Sequence, residues 1–349
     1  MIPKQEIIPE FLKKLIQWFS NHQRRLSFRN TKEPYKIWIA EVMLQQTRIG
    51  SVVNSFQSKY DSFIQKFPDV FSLAQAPVEE VYRAWSGLGY YQRAKNLHKT
   101  AQILVEKYQG NFPKSYQELL KLPGIGDYTA SAILSIAFDL PYAVFDGNVR
   151  RVIFRFFYFY AKEWKDVKAK EISQFILTEY RPTPSLYNQA LMELGSTICI
   201  QKFPKCSVCV VKEYCDATSL PREVIQNIPK NKKTPKTKKQ LYVYIITKQD
   251  QFLLVKNQNL FFKHHYSFPF FEKKLSELEN VVHLGNIRHH IMNYEVHANV
   301  FFVDYEGFQK YFNNNQDFIW VTKEKIEHYL YTSFFKKIYH LYQSYSLFL

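Results

Sequence analysis

Residues 122–134 read LPGIGDYTASAIL, a Gly-x-Gly turn between two stretches with helical spacing. Glycines let the backbone of such a turn approach a ligand closely, and the N-terminus of the following helix favours an anion. Thr129 stands where a dinucleotide fold needs a third glycine, and YQELLKLPG predicts a helix rather than the required strand. The pattern therefore predicts a helix-hairpin-helix that contacts a DNA phosphate through Gly124 and Gly126. An ordinary helix–helix connection is the alternative.

Length and charge support a nucleic-acid partner. The chain has 349 residues and a formal net charge of +16, so we expect two domains and a polyanionic ligand. The opening MIPKQEIIPE has no signal-peptide pattern, and no apolar run is long enough to cross a membrane. We expect a cytoplasmic monomer, nucleoid-associated if the source is bacterial.

Composition divides the chain into three parts. Residues 1–220 show helical spacing and predict an all-α domain. Residues 221–240 end in PKNKKTPKTKKQ, which predicts an extended basic linker. Residues 241–349 predict a small α+β domain, with strands at LYVYIIT, FLLVKN, EVHANVFFVD and DFIWVTKE and a helix at SFFKKIYHLYQSY.

All four cysteines lie in one span, Cys199, Cys206, Cys209 and Cys215, spaced C-x6-C-x2-C-x5-C. Thiols stay reduced in the cytoplasm, so these are expected to be ligands rather than disulfides. Zinc sites usually show two C-x2-C pairs, whereas this span has one, and a 4Fe-4S cluster is therefore favoured over zinc. We expect the cluster to be structural.

Two carboxyl groups are candidates for acid–base chemistry. Glu41 is the only ionisable residue in IWIAEVML, and burial there would raise its pKa. Asp146 follows AVF and precedes GNVRRV, where it would cap a helix, and the helix N-terminus and Arg150 would keep it ionised. One protonated and one ionised carboxyl match the division of labour in sugar hydrolysis. A surface glutamate and a simple helix cap are the alternatives.

Several motifs together resemble the adenine DNA glycosylase (MutY) family: LQQT, GLGYY, LPGIGDYTASAIL, FDGNVRRV, NQALMELG and the cysteine spacing. The resemblance is dense over roughly residues 24–220. It implies a helix-hairpin-helix glycosylase domain with a 4Fe-4S loop, a Nudix-like C-terminal domain for lesion recognition, and duplex DNA with 8-oxoguanine:adenine or guanine:adenine mispairs as the partner. It also implies that Glu41 protonates adenine and activates water, that Asp146 stabilises the sugar, and that Asn148 orients the site.

The same resemblance implies that the target base is flipped out of the duplex. Gln46 and Tyr90 would wedge into the base stack, while Thr47 and Leu88 would contact the opposing 8-oxoguanine.

Tyr128 decides between two reaction types. Endonuclease III-like relatives carry a lysine at this position, which attacks the sugar. A tyrosine has no amine, and Arg150 stays protonated, so the resemblance implies hydrolysis without strand cleavage, with Tyr128 lining the base pocket. The alternatives are a bifunctional glycosylase-lyase for oxidised pyrimidines and a non-catalytic iron–sulfur DNA-binding module.

The sequence departs from the family pattern at two places. Ile291-Met292-Asn293 replace the Phe-Ser-His loop that reads 8-oxoguanine, and LSFR at 26–29 replaces Leu-Pro-Trp-Arg. The first departure leaves open the preference between 8-oxoguanine and guanine, and a protein-docking role for the C-terminal domain. Glu193, in NQALMELG, is expected to be structural. The redox role of the cluster and any protein partners are open as well.

Overall fold

The computed structural model describes residues 3–45, 53–230, 235, 237–257, 262, 266–276, 278, 280–291, 293–311 and 317–346. The chain divides into two compact units: residues 1–84 with 90–231, and residues 232–349 with the short segment 85–89. No helix in the described ranges is both long and apolar enough to cross a membrane.

The first unit is helical. In chain order its helices are α1 (Ile8–His22), α2 (Pro34–Leu44), α3 (Val53–Lys66), α4 (Val70–Gln75), α5 (Val78–Ala84), α6 (Gln92–Tyr108), α7 (Tyr116–Leu120), α8 (Asp127–Ala132), α9 (Gly147–Phe156), α10 (Tyr158–Ala161), α11 (Asp166–Glu179), α12 (Pro184–Thr197) and α13 (Arg222–Ile225). A π-helical turn, Ile133–Ala137, continues α8. The short α13 lies inside the segment predicted as a linker.

The core of this unit forms where α1, α9, α11 and α12 pack together. Phe11, Val152, Ile176 and Leu191 are among its buried side chains. Each of these helices buries one face, as expected of helices on the outside of a single core.

Helix α2 differs because it is buried on nearly every side. Pro34 starts it, at a position where the missing N–H group costs no hydrogen bond. All residues from Ile37 to Met43 are buried, including Glu41. A helix that is apolar all round belongs in the interior, so this helix carries Glu41 into the protein.

The helix-hairpin-helix is formed by α7, the turn at 121–126 and α8. Gly124 has φ +78°, and a Cβ there would lie 2.8 Å from Asn96 Cβ, so only glycine fits. Ile125 is buried beneath the turn, while Gly124 and Gly126 are exposed. The turn therefore presents its backbone to solvent, as the sequence predicted.

The second unit is a mixed sheet with helices. Its strands are β1 (Thr237–Lys248), β2 (Gln251–Lys256), β3 (Tyr266–Ser267), β4 (Phe270–Phe271), β5 (Val282–Ile291), β6 (Tyr294–Asp304) and β7 (Phe318–Thr322), with helices α14 (Tyr305–Phe308) and α15 (Ser333–Ser346). The strand order is β3-β2-β1-β6-β5, with β4 beside β1 and β7 beside β2. Strands β1 and β6 are parallel, and the other pairs are antiparallel.

One face of this sheet packs on α15, whose Phe334 and Ile338 share a core with Val243 and Val300. The predicted fold class, an all-α domain followed by a small α+β domain, is confirmed. Strand β5 was not predicted, because its polar residues hide the strand pattern.

Candidate active site

A cavity of about 120 Å³ lies in the helical unit. The residues around it that carry chemistry are Glu41, Tyr128, Asp146, Asn148, Met192 and Glu193. The four residues predicted as catalytic, Glu41, Tyr128, Asp146 and Asn148, are therefore brought together, although they are spread over more than one hundred positions of the sequence. Helices α2, α8, α9 and α12 supply these side chains.

Glu41 is 5% exposed on the buried helix α2. Burial raises the pKa of its carboxyl to about 7, and the negative charge of Asp146 acts in the same direction. The hydrogen bond from Tyr128 and the charge of Arg29 oppose this rise in pKa. Glu41 can therefore hold a proton at neutral pH and can also release it, which suits a general acid that later serves as a base.

Tyr128 is the direct partner of Glu41. Its hydroxyl donates a hydrogen bond of 2.5 Å to Glu41 Oε2 and lies 3.4 Å from Met192 Sδ. Burial raises the pKa of Tyr128 well above its ordinary value, so its hydroxyl stays a donor. The tyrosine on the first turn of α8, just after the glycine turn, is thus hydrogen-bonded to the Glu41 carboxyl.

Asp146 caps helix α9. Its Oδ1 accepts hydrogen bonds from the backbone N–H groups of Asn148 at 2.9 Å and Val149 at 2.7 Å, and its Oδ2 accepts one from Asn148 Nδ2 at 2.8 Å. Burial raises the pKa of Asp146 overall, and these three bonds and the charge of Arg151 favour the carboxylate and limit that rise without reversing it. The cap and the chemistry are compatible, since both use the ionised form.

A role for Arg150 in keeping Asp146 ionised stays a prediction. Arg150 Nε donates to Asp166 Oδ1 at 2.6 Å, and Arg151 is an arginine whose charge favours the Asp146 carboxylate. Arg151 Nη2 donates to Asn148 Oδ1 at 2.9 Å, so it holds the residue that holds Asp146. Successive helical residues point about 100° apart, and the sequence alone did not fix which arginine faces inward.

Close packing of α12 on α9 completes this arrangement. A Cβ at Gly195 would lie 2.6 Å from Asn148 Cβ, so the glycine is what allows Asn148 its place. Arg151 also donates to the carbonyl oxygens of Gly195 at 2.5 Å and Cys199 at 2.6 Å. The same arginine therefore connects the cavity with the first cysteine of the cysteine loop.

Sequence reasoning missed a buried charge cluster at the cavity. Glu193 is 1% exposed, and its carboxylate accepts hydrogen bonds from Arg24 Nε at 2.8 Å, Arg24 Nη2 at 2.7 Å and Arg29 Nη2 at 2.5 Å. Although burial acts to raise the pKa of Glu193, its bonds and attraction to the two arginines lower it to about 2. Glu193 is thus a fixed anion, consistent with its expected structural role. Arg29 lies in LSFR, Glu193 lies in NQALMELG and Arg24 precedes LSFR by two positions, but nothing local to these segments signals that the three residues pair.

The predicted DNA contacts lie in several places. Gly124 and Gly126 are exposed in the hairpin turn, and Tyr90 is 44% exposed with φ +48°. Leu88 is partly buried and lies in the Gly87-Leu88-Gly89 segment of the GLGYY motif. Gln46 and Thr47 lie outside the described residues.

The four cysteines form a loop after α12, all partly buried. Burial and the neighbouring Cys199 thiol raise the pKa of Cys209 to about 11 and that of Cys215 to about 12. The buried Arg155 guanidinium lies 3.4 Å from Cys199 Sγ and also donates to the carbonyl oxygens of Ile200 at 2.8 Å and Gln201 at 3.1 Å. Four neighbouring thiols beside a buried cation fit a metal centre whose ligands are cysteine thiolates.

The cavity therefore holds a carboxyl that can donate a proton and a carboxylate held by hydrogen-bond donors, and the same helical unit exposes the glycine turn. Departure of a base from deoxyribose needs a proton donor for the base and an anion for the sugar. The fold and the site define a helix-hairpin-helix DNA glycosylase, the class of enzyme that binds damaged DNA.

Comparison with known proteins gives the family. Residues 39–177 match the model of the HhH-GPD superfamily base excision DNA repair proteins. The chain is 34% identical over 333 residues to an adenine DNA glycosylase of Buchnera aphidicola subsp. Baizongia pistaciae, covering 89% of this chain and 90% of that relative. It is 32% identical to the adenine DNA glycosylase of Buchnera aphidicola subsp. Schizaphis graminum, covering 89% and 92%. The solved structure of a thermostable thymine-DNA glycosylase is 26% identical with a TM-score of 0.56, covering 62% of this chain and 99% of that one. The chain belongs to the adenine DNA glycosylase family.

Proposed function

We propose that this chain hydrolyses the N-glycosidic bond of adenine opposite 8-oxoguanine or guanine in duplex DNA and leaves the strand uncut. The observation that carries the proposal is the pair of carboxyl groups in one cavity. Glu41 has a pKa of about 7, while Asp146 accepts three hydrogen bonds that favour its anion. Membership of the adenine DNA glycosylase family supports adenine as the base.

The reaction begins when adenine leaves the duplex and enters the cavity, at a cost of a few kcal/mol. Protonated Glu41 donates its proton to a ring nitrogen, which turns adenine into a neutral leaving group. The bond between the base and the sugar carbon then breaks, and the sugar takes up positive charge. Such general acid catalysis contributes about 10²–10⁴-fold to the rate.

The Asp146 carboxylate stabilises the positive sugar. Asn148 keeps this carboxylate in place, and Arg151 keeps Asn148 in place. Glu41, now ionised, accepts a proton from a water molecule that attacks the sugar carbon. One residue thus works first as acid and then as base, as its pKa near neutrality allows.

The strand should stay intact because the cavity offers no amine. Among its described lining residues there is no lysine, and the Tyr128 hydroxyl donates a hydrogen bond to the Glu41 carboxyl. A glycosylase-lyase needs an amine that forms a Schiff base with the sugar. The endonuclease III-like alternative is therefore disfavoured.

We propose that Cys199, Cys206, Cys209 and Cys215 hold a 4Fe-4S cluster. All four thiols lie in the loop after α12, with the Arg155 guanidinium 3.4 Å from Cys199 Sγ. Both zinc and iron–sulfur clusters take thiolate ligands, and a spacing with a single C-x2-C pair favours the cluster. The cluster would staple the loop, which carries Lys202, Lys205 and Lys212, in a shape that can meet DNA.

The opposing base is proposed to be read by both units. Tyr90 and Gln46 would open the stack, Leu88 and Thr47 would contact 8-oxoguanine, and Gly124 and Gly126 would hold a phosphate. In the sheet unit, Ile291 pairs with Tyr294 at the hairpin end of β5 and β6, and Asn293 is exposed. Its amide could donate to the lesion, whereas Met292 lies outside the described residues. We propose that this Nudix-like domain, residues 241–349 in our division, recognises the lesion, and that the protein works in the cytoplasm beside its DNA.

One experiment tests the proposal. Duplexes with adenine opposite each of 8-oxoguanine, guanine, cytosine and thymine are incubated with the protein, and strand cleavage is compared with and without alkali. We expect cleavage only after alkali, and mainly opposite 8-oxoguanine and guanine. Cleavage without alkali, together with a borohydride-trapped adduct, would favour the lyase. Tight binding without base release under single turnover would favour the non-catalytic module.

A further inference from the structure

Met192 contributes a thioether sulfur to the base cavity, the cavity lined by Glu41, Tyr128 and Asp146. It lies on α12, is partly exposed, and lines the cavity with Glu41 and Tyr128. Its sulfur lies 3.4 Å from the Tyr128 hydroxyl, which donates to Glu41 Oε2 at 2.5 Å. The mechanism proposed above makes no use of this sulfur.

The position of the sulfur matters because a tyrosine hydroxyl has a single proton to donate. A thioether is a weak acceptor, so the carboxyl of Glu41 keeps the hydrogen bond. A sulfoxide oxygen at the same place would be a strong, polar acceptor. It would compete with Glu41 for the Tyr128 hydroxyl, and it would occupy space in a cavity of about 120 Å³.

We propose that Met192 is a site of reversible oxidation, at which peroxide converts the thioether to methionine sulfoxide and thereby disables the base cavity. The inference rests on the proposed adenine excision for its functional consequence. In the oxidation step a sulfur lone pair attacks one peroxide oxygen, an S–O bond forms and the O–O bond breaks. The sulfur is oxidised, the peroxide is reduced, and the second oxygen leaves as water with both protons. Methionine sulfoxide reductases reverse the change.

Solvent access separates Met192 from the other methionine that the structure describes. Met43 is fully buried at 0% exposure on α2, whereas Met192 opens onto the cavity. Susceptibility to oxidation follows exposure, so Met192 should react well before Met43. The chain has four methionines, and the remaining two, Met1 and Met292, lie outside the described residues.

The test uses the full-length protein with its cluster, treated with graded hydrogen peroxide. Peptide mass spectrometry follows the gain of one oxygen at each methionine, and visible absorption follows the cluster. Single-turnover adenine release is measured before and after treatment and normalised to the cluster content. We expect oxidation of Met192 to slow adenine release by about tenfold or more, up to the about 10²–10⁴-fold that general acid–base catalysis contributes. Treatment with methionine sulfoxide reductases should restore the rate.

Matched variants make the result specific. The ratio of treated to untreated rates should stay near one for Met192→Leu and should fall as in the parent for Met292→Leu. The proposal is overturned if Met192→Leu loses as much of its rate as the parent, or if Met192 is oxidised no faster than Met43. Failure of the untreated parent to release adenine would instead overturn the proposed function, while the mass map would still test the oxidation site.

Discussion

Two buried glutamates line the same cavity, Glu41 on the α2 wall and Glu193 on the α12 wall. They are 5% and 1% exposed, so burial acts on both to raise the pKa. The pKa of Glu41 nevertheless rises to about 7, while that of Glu193 falls to about 2. The nearest donor to Glu41 is a neutral tyrosine, whereas Glu193 meets two guanidinium groups. The partner, and not the degree of burial, decides which glutamate can serve as an acid.

The largest expected effect is on catalysis at the α2 wall. Glu41→Gln keeps the shape of the side chain but removes the proton that can be transferred. We expect single-turnover adenine release to fall by about 10²–10⁴-fold, with binding of the mispaired duplex retained. Release at the parental rate by a folded, binding-competent variant would remove the acid role of Glu41.

The next effect is on stability at the α12 wall. Glu193→Gln leaves Arg24 and Arg29 without the carboxylate that both contact, and breaking a buried pair costs about 3–5 kcal/mol. Denaturant unfolding should show this loss. Glu171→Gln is the matched control: it removes an exposed carboxylate beside Lys168, and such pairs contribute about 0–1 kcal/mol. Equal stability of the two variants would contradict the comparison.

The two walls also differ in how much of their structure could be predicted from the sequence. Glu41 stands alone in an apolar run of eight residues, so its burial and raised pKa were proposed from that run, with a surface glutamate as the alternative, and the structure shows it buried. The Glu193 cluster joins residues 164 and 169 positions apart, and no local pattern reports such a pairing. The contribution of Arg151 was missed for a related reason, because helix phase depends on what the helix packs against.

The same contrast holds for the fold. The glycine turn and strands β1, β2, β6 and β7 all carry strong local patterns, and each was predicted. Strand β5 reads VHLGNIRHHI, with exposed His283, Arg288 and His290 between half-buried neighbours. Its strand character comes from pairing with β6, which is information that the segment itself does not contain.

The third prediction concerns the stability of Glu41→Gln, which should change in the opposite direction to that of Glu193→Gln. The pKa of Glu41 is raised from about 4.5 in the unfolded chain to about 7 in the fold. Ionisation of Glu41 is therefore less favourable in the folded state than in the unfolded chain. The contribution of Glu41 to the free energy of unfolding of the parent is highest below pH 4.5, where Glu41 is protonated in both states, and it falls as the pH rises through 7. A shift of this size corresponds to roughly 3 kcal/mol. Glu41→Gln should therefore be more stable than the parent at pH 8, by up to that amount.

The check is a pair of denaturant titrations, one at pH 4.5 and one at pH 8. The stability difference between Glu41→Gln and the parent should be small at the lower pH and should grow toward the higher one. Glu193 works in the opposite direction, since its lowered pKa gives stability above pH 4.5 that is lost as the pH falls toward 2. A constant difference between Glu41→Gln and the parent would mean that the carboxyl titrates normally in the fold.

The smallest effect concerns the hydrogen bond that tunes Glu41. The bond from Tyr128 lowers the pKa of Glu41 against the larger effect of burial. Tyr128→Phe removes it, so the pKa of Glu41 should rise further, by about one unit for a bond of roughly 1.5 kcal/mol to a charged acceptor. Glu41 would then hold its proton to higher pH, and the alkaline limb of the pH profile for adenine release should move up by the same amount.

A purely structural role for Tyr128 would lower the rate at every pH and leave the profile in place. Tyr142→Phe is the control, because Tyr142 stacks on Tyr116, does not line the cavity, and should leave the alkaline limb unmoved. If the alkaline limb shifts in Tyr128→Phe and not in Tyr142→Phe, then Tyr128 sets the pKa of Glu41, at a position where endonuclease III-like relatives carry a nucleophilic lysine. An alkaline limb that does not move would mean that the Tyr128 hydrogen bond does not affect the pKa of Glu41. The difference in pKa between Glu41 and Glu193 would then come from burial and from the two arginines alone.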